Sequence, residues 1–281
     1  MVFKPGLLSA RLSRFGVRSA PLVLGLLFLG GALQAAAQPA RSQSAIVVGT
    51  NPTFPPFEMM ENDEVAGFDI DAMRAMAKSQ NLNVTFRSLP FNGIIPSLQA
   101  GALDAAASGI TINRERLQSV DFTDPYYRSG LSVLVKDGSK ITGFADLKGH
   151  VIGTQKATSS VEYLSKHGMA EDHVKQFQDI NGAYQALLNG GVDAVLFDNP
   201  VNVMFKNRHP GVKIVGDLLT GEYYGFAVSK KDPELVAKLN RGLAEIKKNG
   251  DYDRLFTKYF GGDMTGAVKG DMTAEQAAAS N

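Results

Sequence analysis

From residue 45 onward, short β-branched and apolar runs alternate with stretches that carry apolar residues at helical spacing. The runs predict strands at 45–50, 83–89, 103–110, 150–155, 174–180 and 192–198. The intervening stretches predict helices at 68–78, 91–101, 159–168 and 183–191. Short strands that alternate with helices are typical of an α/β protein with a mainly parallel sheet.

Two short sequence motifs each recur once in similar form. Val48-Gly49-Thr50-Asn51 returns as Ile152-Gly153-Thr154-Gln155, and Leu98, Gly101, Asp104 and Ala105 return 89 residues later as Leu187, Gly190, Asp193 and Ala194. These repeats predict two related α/β lobes. Because parallel sheets bind ligands beyond the carboxyl ends of their strands, we expect the two lobes to enclose one ligand between those edges.

Two strand-like segments, residues 126–138 and 222–231, follow the repeated parts, and a helical segment comes after them at 233–260. Two such crossings would return the chain to the first lobe. The expected organisation is therefore lobe 1 at 45–130 plus 226–260, lobe 2 at 131–225, and a flexible tail at 261–281.

The first 37 residues have the layout of a secretory signal peptide. A basic opening with Lys4, Arg11, Arg14 and Arg18 precedes an apolar run of 13 residues and the small residues 35–37. A membrane-spanning helix, the alternative, needs about 20 apolar residues. Cleavage would remove those four positive charges and no negative ones, so the formal net charge of +1 becomes −3. A mildly acidic chain without a basic stripe argues against nucleic-acid binding.

The chain contains no cysteine, which excludes thiol catalysis, cysteine-bound zinc and a lipid-modified cysteine after the signal peptide. The four histidines show no metal-ligand spacing, and neither a nucleotide-binding loop nor a GxSxG motif occurs. We therefore expect no catalytic residue, no metal and no cofactor. We also expect an exported protein that diffuses freely outside the inner membrane.

Several polar residues are candidates for ligand binding. The guanidinium of Arg116 suits a carboxylate, although an arginine in such a run is commonly a surface charge. Thr158 and Ser159 begin a helix whose free N–H groups suit an anion, unless Ser159 and Glu162 form only a capping box. Asp198 ends an apolar run, where it holds an ammonium group or caps a turn.

Five motifs together resemble the polar amino-acid-binding proteins of bacterial ABC importers, solute-binding protein family 3, with a pattern close to the glutamine-binding type. The motifs are FPPFE at 54–58, GFDIDAM at 67–73, FNGIIPSLQAG at 91–101, SGITINRERLQSVDFTDPYY at 108–127 and VDAVLFD at 192–198. The resemblance runs from about residue 45 to residue 261. It implies the periplasmic-binding-protein fold, in which two α/β lobes are joined by a two-stranded hinge and the ligand lies in the cleft between them.

The resemblance also implies what each candidate residue does. Arg116, the Thr111 amide and the helix start at Thr158 and Ser159 would bind the α-carboxylate of an amino acid. Asp198, the Gly109 carbonyl and the Thr111 hydroxyl would bind its α-ammonium group, and Phe54 and Phe91 would pack on its stem. The complete predicted set is Asn51, Phe54, Phe91, Ser108, Gly109, Thr111, Arg116, Gln155, Thr158, Ser159 and Asp198.

Three positions depart from the glutamine-binding pattern at the side-chain end of the pocket. Asn51 replaces an aspartate, Gln155 a lysine and Phe197 a histidine. All three side chains are uncharged, and burial of an unpaired ligand charge is costly. We therefore expect a neutral pocket that favours glutamine, unless Glu58 or Glu222 turns inward.

The predicted function is extracytoplasmic capture of a free polar L-amino acid and its delivery to the membrane permease of an ABC transporter. The resemblance implies a periplasmic protein, which we expect to be monomeric. A different class remains open, because some members of this fold are periplasmic enzymes such as cyclohexadienyl dehydratases. Such an enzyme needs an acid or base above a reactive carbon. A sensor domain is the other alternative.

Overall fold

Two five-stranded sheets organise the protein, and the computed structural model describes residues 45–280. The predicted signal peptide, residues 1–37, lies outside the described residues. Among the residues that are described, no helix is both long and apolar enough to cross a membrane.

The helices and strands follow one another along the chain in the alternating order that the sequence predicts. The strands are β1 (Ile46–Thr50), β2 (Thr53–Phe54), β3 (Glu58–Glu61), β4 (Glu64–Ala66), β5 (Val84–Ser88), β6 (Ala105–Ala106), β7 (Asp121–Phe122), β8 (Tyr127–Ser129), β9 (Leu131–Lys136), β10 (Ile152–Gln155), β11 (Val174–Phe177), β12 (Ala194–Asp198), β13 (Val212–Val215), β14 (Glu222–Tyr224) and β15 (Ala227–Val228). The α-helices are α1 (Phe68–Ser79), α2 (Ile94–Ala100), α3 (Arg114–Ser119), α4 (Ser159–Lys166), α5 (Ile180–Leu188), α6 (Asn199–Arg208), α7 (Pro233–Lys248), α8 (Asp251–Phe260) and α9 (Ala274–Ala279).

The two sheets share one strand arrangement. The first has the order β5-β1-β6-β15-β7 and the second β11-β10-β12-β9-β13. In each sheet the first three strands are parallel, and the fourth, β15 or β9, runs antiparallel to both of its neighbours. The two-lobed α/β fold is therefore confirmed, with one reversed strand in each mainly parallel sheet.

The repeated sequence motifs make the same contacts in both sheets. Asp104 Oδ2 accepts a hydrogen bond from the N–H of Val47 at 2.7 Å, and Asp193 Oδ2 accepts one from the N–H of Val151 at 2.8 Å. The glycine three residues before each aspartate has a positive φ, 75° and 77°, and so ends the preceding helix in the left-handed conformation that glycine favours. The repeat thus encodes one helix-to-strand connection used twice.

The chain passes between the two sheets along β8 and β14, which form an antiparallel pair. After β15 the chain forms α7 and α8, with a break at Gly250, whose φ is 83°. Buried Leu239 and Leu243 of α7 face buried Met73 of α1 in the same apolar cluster. These helices return the chain to the first sheet, as the two predicted crossings require.

The C-terminal residues differ from the expected flexible tail. The Arg128 N–H donates to the Gly266 carbonyl at 2.7 Å, which ties the tail to β8. Further along, α9 buries Ala274, Ala277 and Ala278 in an apolar cluster of the first lobe. These three alanines lie at i, i+3 and i+4, so they form one helical face that packs closely.

Candidate ligand-binding site

One cavity lies between the carboxyl ends of the two sets of parallel strands, and every residue predicted for the ligand lines it. The lining residues are Asn51, Phe54, Glu58, Phe91, Ser108, Gly109, Thr111, Arg116, Gln155, Thr158, Ser159, Phe197 and Asp198. Glu58 and Phe197 are the members beyond the predicted set. Asn51 follows β1 directly, while Gln155 and Asp198 end β10 and β12. Strand direction thus brings residues from both lobes to one place.

Hydrogen bonds join the two lobes around this cavity. Gln155 Nε2 donates to Asn51 Oδ1 at 3.1 Å on one side of it. On another side, Arg116 donates through one guanidinium nitrogen to the Ala157 carbonyl at 3.0 Å. The lobes are therefore in direct contact, which is the closed arrangement.

The guanidinium of Arg116 lies at one end of the cavity and is held there by its neighbours. Asn113 caps α3 by accepting the N–H of Arg116 at 2.8 Å, which fixes the start of the helix that carries Arg116. The second guanidinium nitrogen of Arg116 donates to the Thr111 carbonyl at 2.8 Å. Phe91 lies 5.6 Å from the guanidinium carbon, so its ring supports Arg116 as well as lining the cavity. The Phe91 ring supports the planar guanidinium of Arg116, whose paired N–H donors suit a carboxylate.

The first turn of α4 contributes hydroxyl groups from the second lobe. Thr158 precedes the helix, and its hydroxyl donates to the Gln155 carbonyl at 2.8 Å. The suggested capping box of Ser159 and Glu162 is wrong, because Ser159 is already the first helical residue and its hydroxyl donates to Glu222 at 2.9 Å. The helix start keeps its free N–H groups for an anion.

Glu222 lies behind the carboxylate end of the cavity, in β14. One of its carboxylate oxygens accepts from the hydroxyls of Thr111 and Ser159 at 2.8 and 2.9 Å. Burial raises the pKa of Glu222, and the hydroxyl hydrogen bonds and the charge of Arg116 oppose that shift. Glu222 thus orients a hydroxyl from each lobe. The sequence analysis named it only as one of two acids whose inward orientation would overturn the neutral pocket.

Asp198 and Gly109, the two residues predicted for an ammonium group, both line the cavity. Asp198 is 4% exposed and accepts a very short hydrogen bond from the Tyr224 hydroxyl. Burial and the neighbouring charge of Glu222 raise the pKa of Asp198 to about 7. Gly109 has a φ of 50°, and a Cβ there would lie 2.4 Å from the Phe54 ring. Glycine at this position therefore lets Phe54 close over the backbone beside Asp198.

Two aromatic rings from opposite lobes face each other across the cavity. The Phe54 ring lies 5.7 Å from the Phe197 ring in an edge-on arrangement. Together these rings can cover the aliphatic part of a ligand. Phe197 therefore contributes more directly to this role than Phe91, which lies under Arg116.

The opposite end of the cavity contains a buried carboxyl group that the neutral-pocket expectation omitted. Glu58 is 1% exposed, and its Oε1 accepts from the Ser108 hydroxyl at 3.0 Å. Its Oε2 accepts from no N–H or hydroxyl group in the part of the chain that the structure describes, and its carboxyl group hydrogen-bonds with that of Asp69. The expectation that only uncharged side chains line this end is therefore wrong. The β2–β3 hairpin pairs Glu58 with Phe54, and cross-strand partners point to the same face.

A second carboxyl group, that of Asp69, lies behind Glu58 and is completely buried. Its Oδ2 accepts from the Tyr126 hydroxyl at 2.6 Å and from the Gly109 N–H at 2.8 Å. Burial raises the pKa of Asp69 to about 7. Burial and the charge of Asp69 raise the pKa of Glu58 well above its usual range.

Comparisons with known proteins show which family this chain belongs to. The family model described as bacterial extracellular solute-binding proteins, family 3, matches residues 46–262. The chain belongs to this family, whose members named below are amino-acid-binding proteins.

Three relatives illustrate the relationship. The arginine-binding periplasmic protein of Mannheimia haemolytica is 37% identical over 79% of this chain and 93% of its own. The arginine-, lysine-, histidine-binding protein ArtJ from Geobacillus stearothermophilus is 38% identical, with a TM-score of 0.75 over 77% of this chain and 95% of its own. An ancestral arginine-binding protein bound to glutamine is 42% identical, with a TM-score of 0.73 over 77% of this chain and 98% of its own.

Proposed function

We propose that this protein captures a free amino acid with a cationic side chain, arginine before lysine, and delivers it to the permease of an ABC transporter. The capture takes place outside the cytoplasm, in the periplasm, by a monomer without enzymatic turnover. The two lobes close on the ligand because it contacts both of them at once.

The charges of the cavity wall carry this proposal. Among the lining residues that the structure describes, Arg116 is the cation and Glu58 and Asp198 are the acids. A free arginine presents the complementary set, with one carboxylate, one ammonium group and one guanidinium. Glutamine lacks the third charge and would leave Glu58 without a cationic partner.

The positions of these groups suit the same orientation of the ligand. Arg116 and the helix start at Ser159 receive the α-carboxylate, and Asp198 with the Gly109 carbonyl receives the α-ammonium group. The stem packs against the rings of Phe54 and Phe197. Its guanidinium then reaches the carboxyl group of Glu58, which is an acceptor for a charged donor. The names of the arginine-binding relatives support this choice of ligand.

A neutral amide ligand is the second candidate. Asn51 and Gln155 each offer an amide donor and an acceptor at the side-chain end, and they suit the amide of glutamine. The ancestral arginine-binding relative bound to glutamine supports this possibility. A protonated Glu58 would then donate to the ligand carbonyl.

Calorimetry on refolded, ligand-free protein with each of the twenty amino acids tests the proposal. We expect a 1:1 complex with arginine that is stronger than about 10 μM, or roughly 7 kcal/mol. Glu58→Gln should weaken arginine binding at least about tenfold and leave glutamine binding nearly unchanged, because it removes one charge and keeps the shape. The matched control is Glu61→Gln, an exposed residue of the same strand. The absence of heat with every amino acid, or turnover of prephenate or arogenate, would reject the proposed function.

A further inference from the structure

The carboxyl groups of Glu58 and Asp69 are held next to each other by the backbone. The N–H of Phe68 donates to the Pro56 carbonyl and the N–H of Asp69 to the Phe57 carbonyl, both at 2.9 Å. These bonds fix the first turn of α1 against the start of β3. The side chain of Asp69 therefore lies directly behind that of Glu58, away from solvent.

The hydrogen bonds around this pair leave one oxygen of each carboxyl group unused. Ser108 donates to Glu58 Oε1, while Tyr126 and the Gly109 N–H donate to Asp69 Oδ2. Among residues 45–280, Glu58 Oε2 and Asp69 Oδ1 accept from no N–H or hydroxyl group, and the two carboxyl groups hydrogen-bond to each other. An ionised carboxylate only accepts hydrogen bonds, so two buried carboxylates in contact need a proton between them.

We propose that Glu58 and Asp69 share one proton in the empty site, and that the side-chain cation of the ligand replaces this proton on binding. A cationic amino acid would then release one proton more than a neutral one of the same shape. The inference rests on the proposed function, because it assigns a mode of recognition to the same cavity.

The exchange conserves charge beside two carboxyl groups that are buried in the closed arrangement. Before binding, the pair with its proton carries one negative charge. After binding, two carboxylates and one guanidinium again carry one negative charge, and the proton leaves to solvent. The protein therefore avoids both an unpaired dianion in the empty site and an unpaired cation in the occupied site.

The groups that face the pair favour this exchange. Asp198 at the end of β12 adds negative charge, which helps to retain the proton when no cation is present. The hydroxyl of Tyr126 and the N–H of Gly109 stabilise Asp69 as the ionised partner. The raised pKa of Asp69, about 7, is consistent with a proton that is held near neutral pH and can still be displaced.

Counting protons during binding tests the exchange. The ligand-free full chain is titrated with arginine and with citrulline, which replaces the guanidinium by a neutral urea of the same shape. Calorimetry at pH 7 in buffers of different ionisation enthalpy gives the number of protons released by each ligand. Asp198 contributes equally to both counts, because both ligands present the same α-ammonium group.

We expect arginine to release about one proton more than citrulline. The affinity for arginine relative to citrulline should also fall about tenfold per pH unit on acidification below pH 7.

Asp69→Asn should reduce this difference, because it removes the negative charge of Asp69, which adds to burial in holding the proton on Glu58. Asp71→Asn changes a half-buried carboxyl group of the same helical turn that pairs with Lys258 and lies outside the cavity wall, so it is the matched control and should retain the difference. Equal proton counts for arginine and citrulline in the wild-type protein would overturn the exchange, whether or not the Asp69 variant folds. That result is distinct from failure of the proposed function, in which arginine would not bind.

Discussion

Gln155 of the second lobe donates its side-chain amide to Asn51 of the first lobe at 3.1 Å, and this bond closes the cavity beside Glu58. Gln155→Lys would place an ammonium group at this point. We expect arginine affinity to fall at least about tenfold, because two cations would compete for Glu58, while glutamine affinity falls much less. Calorimetry with both ligands measures the ratio. Gln176→Lys, on the exposed face of the neighbouring strand β11, adds the same charge to the same lobe and should leave the ratio unchanged. A tighter complex of Gln155→Lys with arginine would contradict the proposed orientation of the ligand.

The site residues that the sequence predicts are those whose positions follow from strand direction. The repeated phrases gave the ends of four parallel strands, and residues at those ends lie at one edge of each sheet. Asn51, Gln155 and Asp198 therefore lie around one cavity, as expected. Arg116 needed more than periodicity, because an arginine in a short polar helix points inward only when its cap and its aromatic support hold it there.

The residues that were missed depend on contacts that no local pattern encodes. Glu58 faces the cavity because a short hairpin pairs it with Phe54, whereas its neighbours Met60 and Glu61 are exposed. Glu222 reaches the carboxylate end from a strand that crosses between the lobes. Both side chains are close in space to residues far away in the sequence. Asn51, Gln155 and Phe197 therefore suggested a neutral pocket, and the fold turns Glu58, one of the two acids named as exceptions, towards the cavity.

The charged partners at the carboxylate end should determine affinity more than stability. Arg116→Ala and Asp198→Ala should each weaken arginine binding by roughly 2 kcal/mol or more, because a ligand charge is left buried without its partner. Arg116→Lys should also weaken binding, since an ammonium group cannot form two parallel hydrogen bonds with a carboxylate. Arg114→Ala, an exposed neighbour on α3, is the control. Affinities come from calorimetry and melting temperatures from ligand-free samples. Wild-type affinity in both alanine variants would show that the site is assigned incorrectly.

The ligand-free protein should become more stable as the pH falls from 8 towards 5. Asp69 and Asp198 have pKa values of about 7 in the folded chain, well above the value of about 3.9 for an aspartate in an unfolded chain. Between these values the folded state binds more protons than the unfolded state, so acidification favours folding. The stabilising contribution is complete below the unfolded pKa and is lost as the pH rises through 7. Each proton changes the free energy of unfolding by about 1.4 kcal/mol per pH unit.

Melting temperatures at pH 8, 6.5 and 5 measure this dependence. Asp198→Asn should flatten it, because the amide keeps the shape of the side chain and does not titrate. Stability that increases steadily from pH 5 to pH 8 in the ligand-free protein would mean that these carboxyl groups are ionised at no cost. In the presence of saturating arginine the dependence should weaken, because the ligand supplies positive charge to both groups.

The C-terminal helix α9 should contribute to the stability of the first lobe, even though it lies beyond the residues that the family model matches. Ala277 is completely buried beside Ile110 and Phe122, in the lobe that carries Arg116. Ala277→Glu would bury an unpaired charge there or detach the helix, and either outcome should cost about 2 kcal/mol or more. For a chain of this size that loss lowers the melting temperature by about 4–8 °C. Ala279→Glu changes an exposed residue of the same helix and should have little effect. Equal melting temperatures for the two variants would show that α9 does not hold its position in solution, and that the flexible tail suggested by composition describes it better.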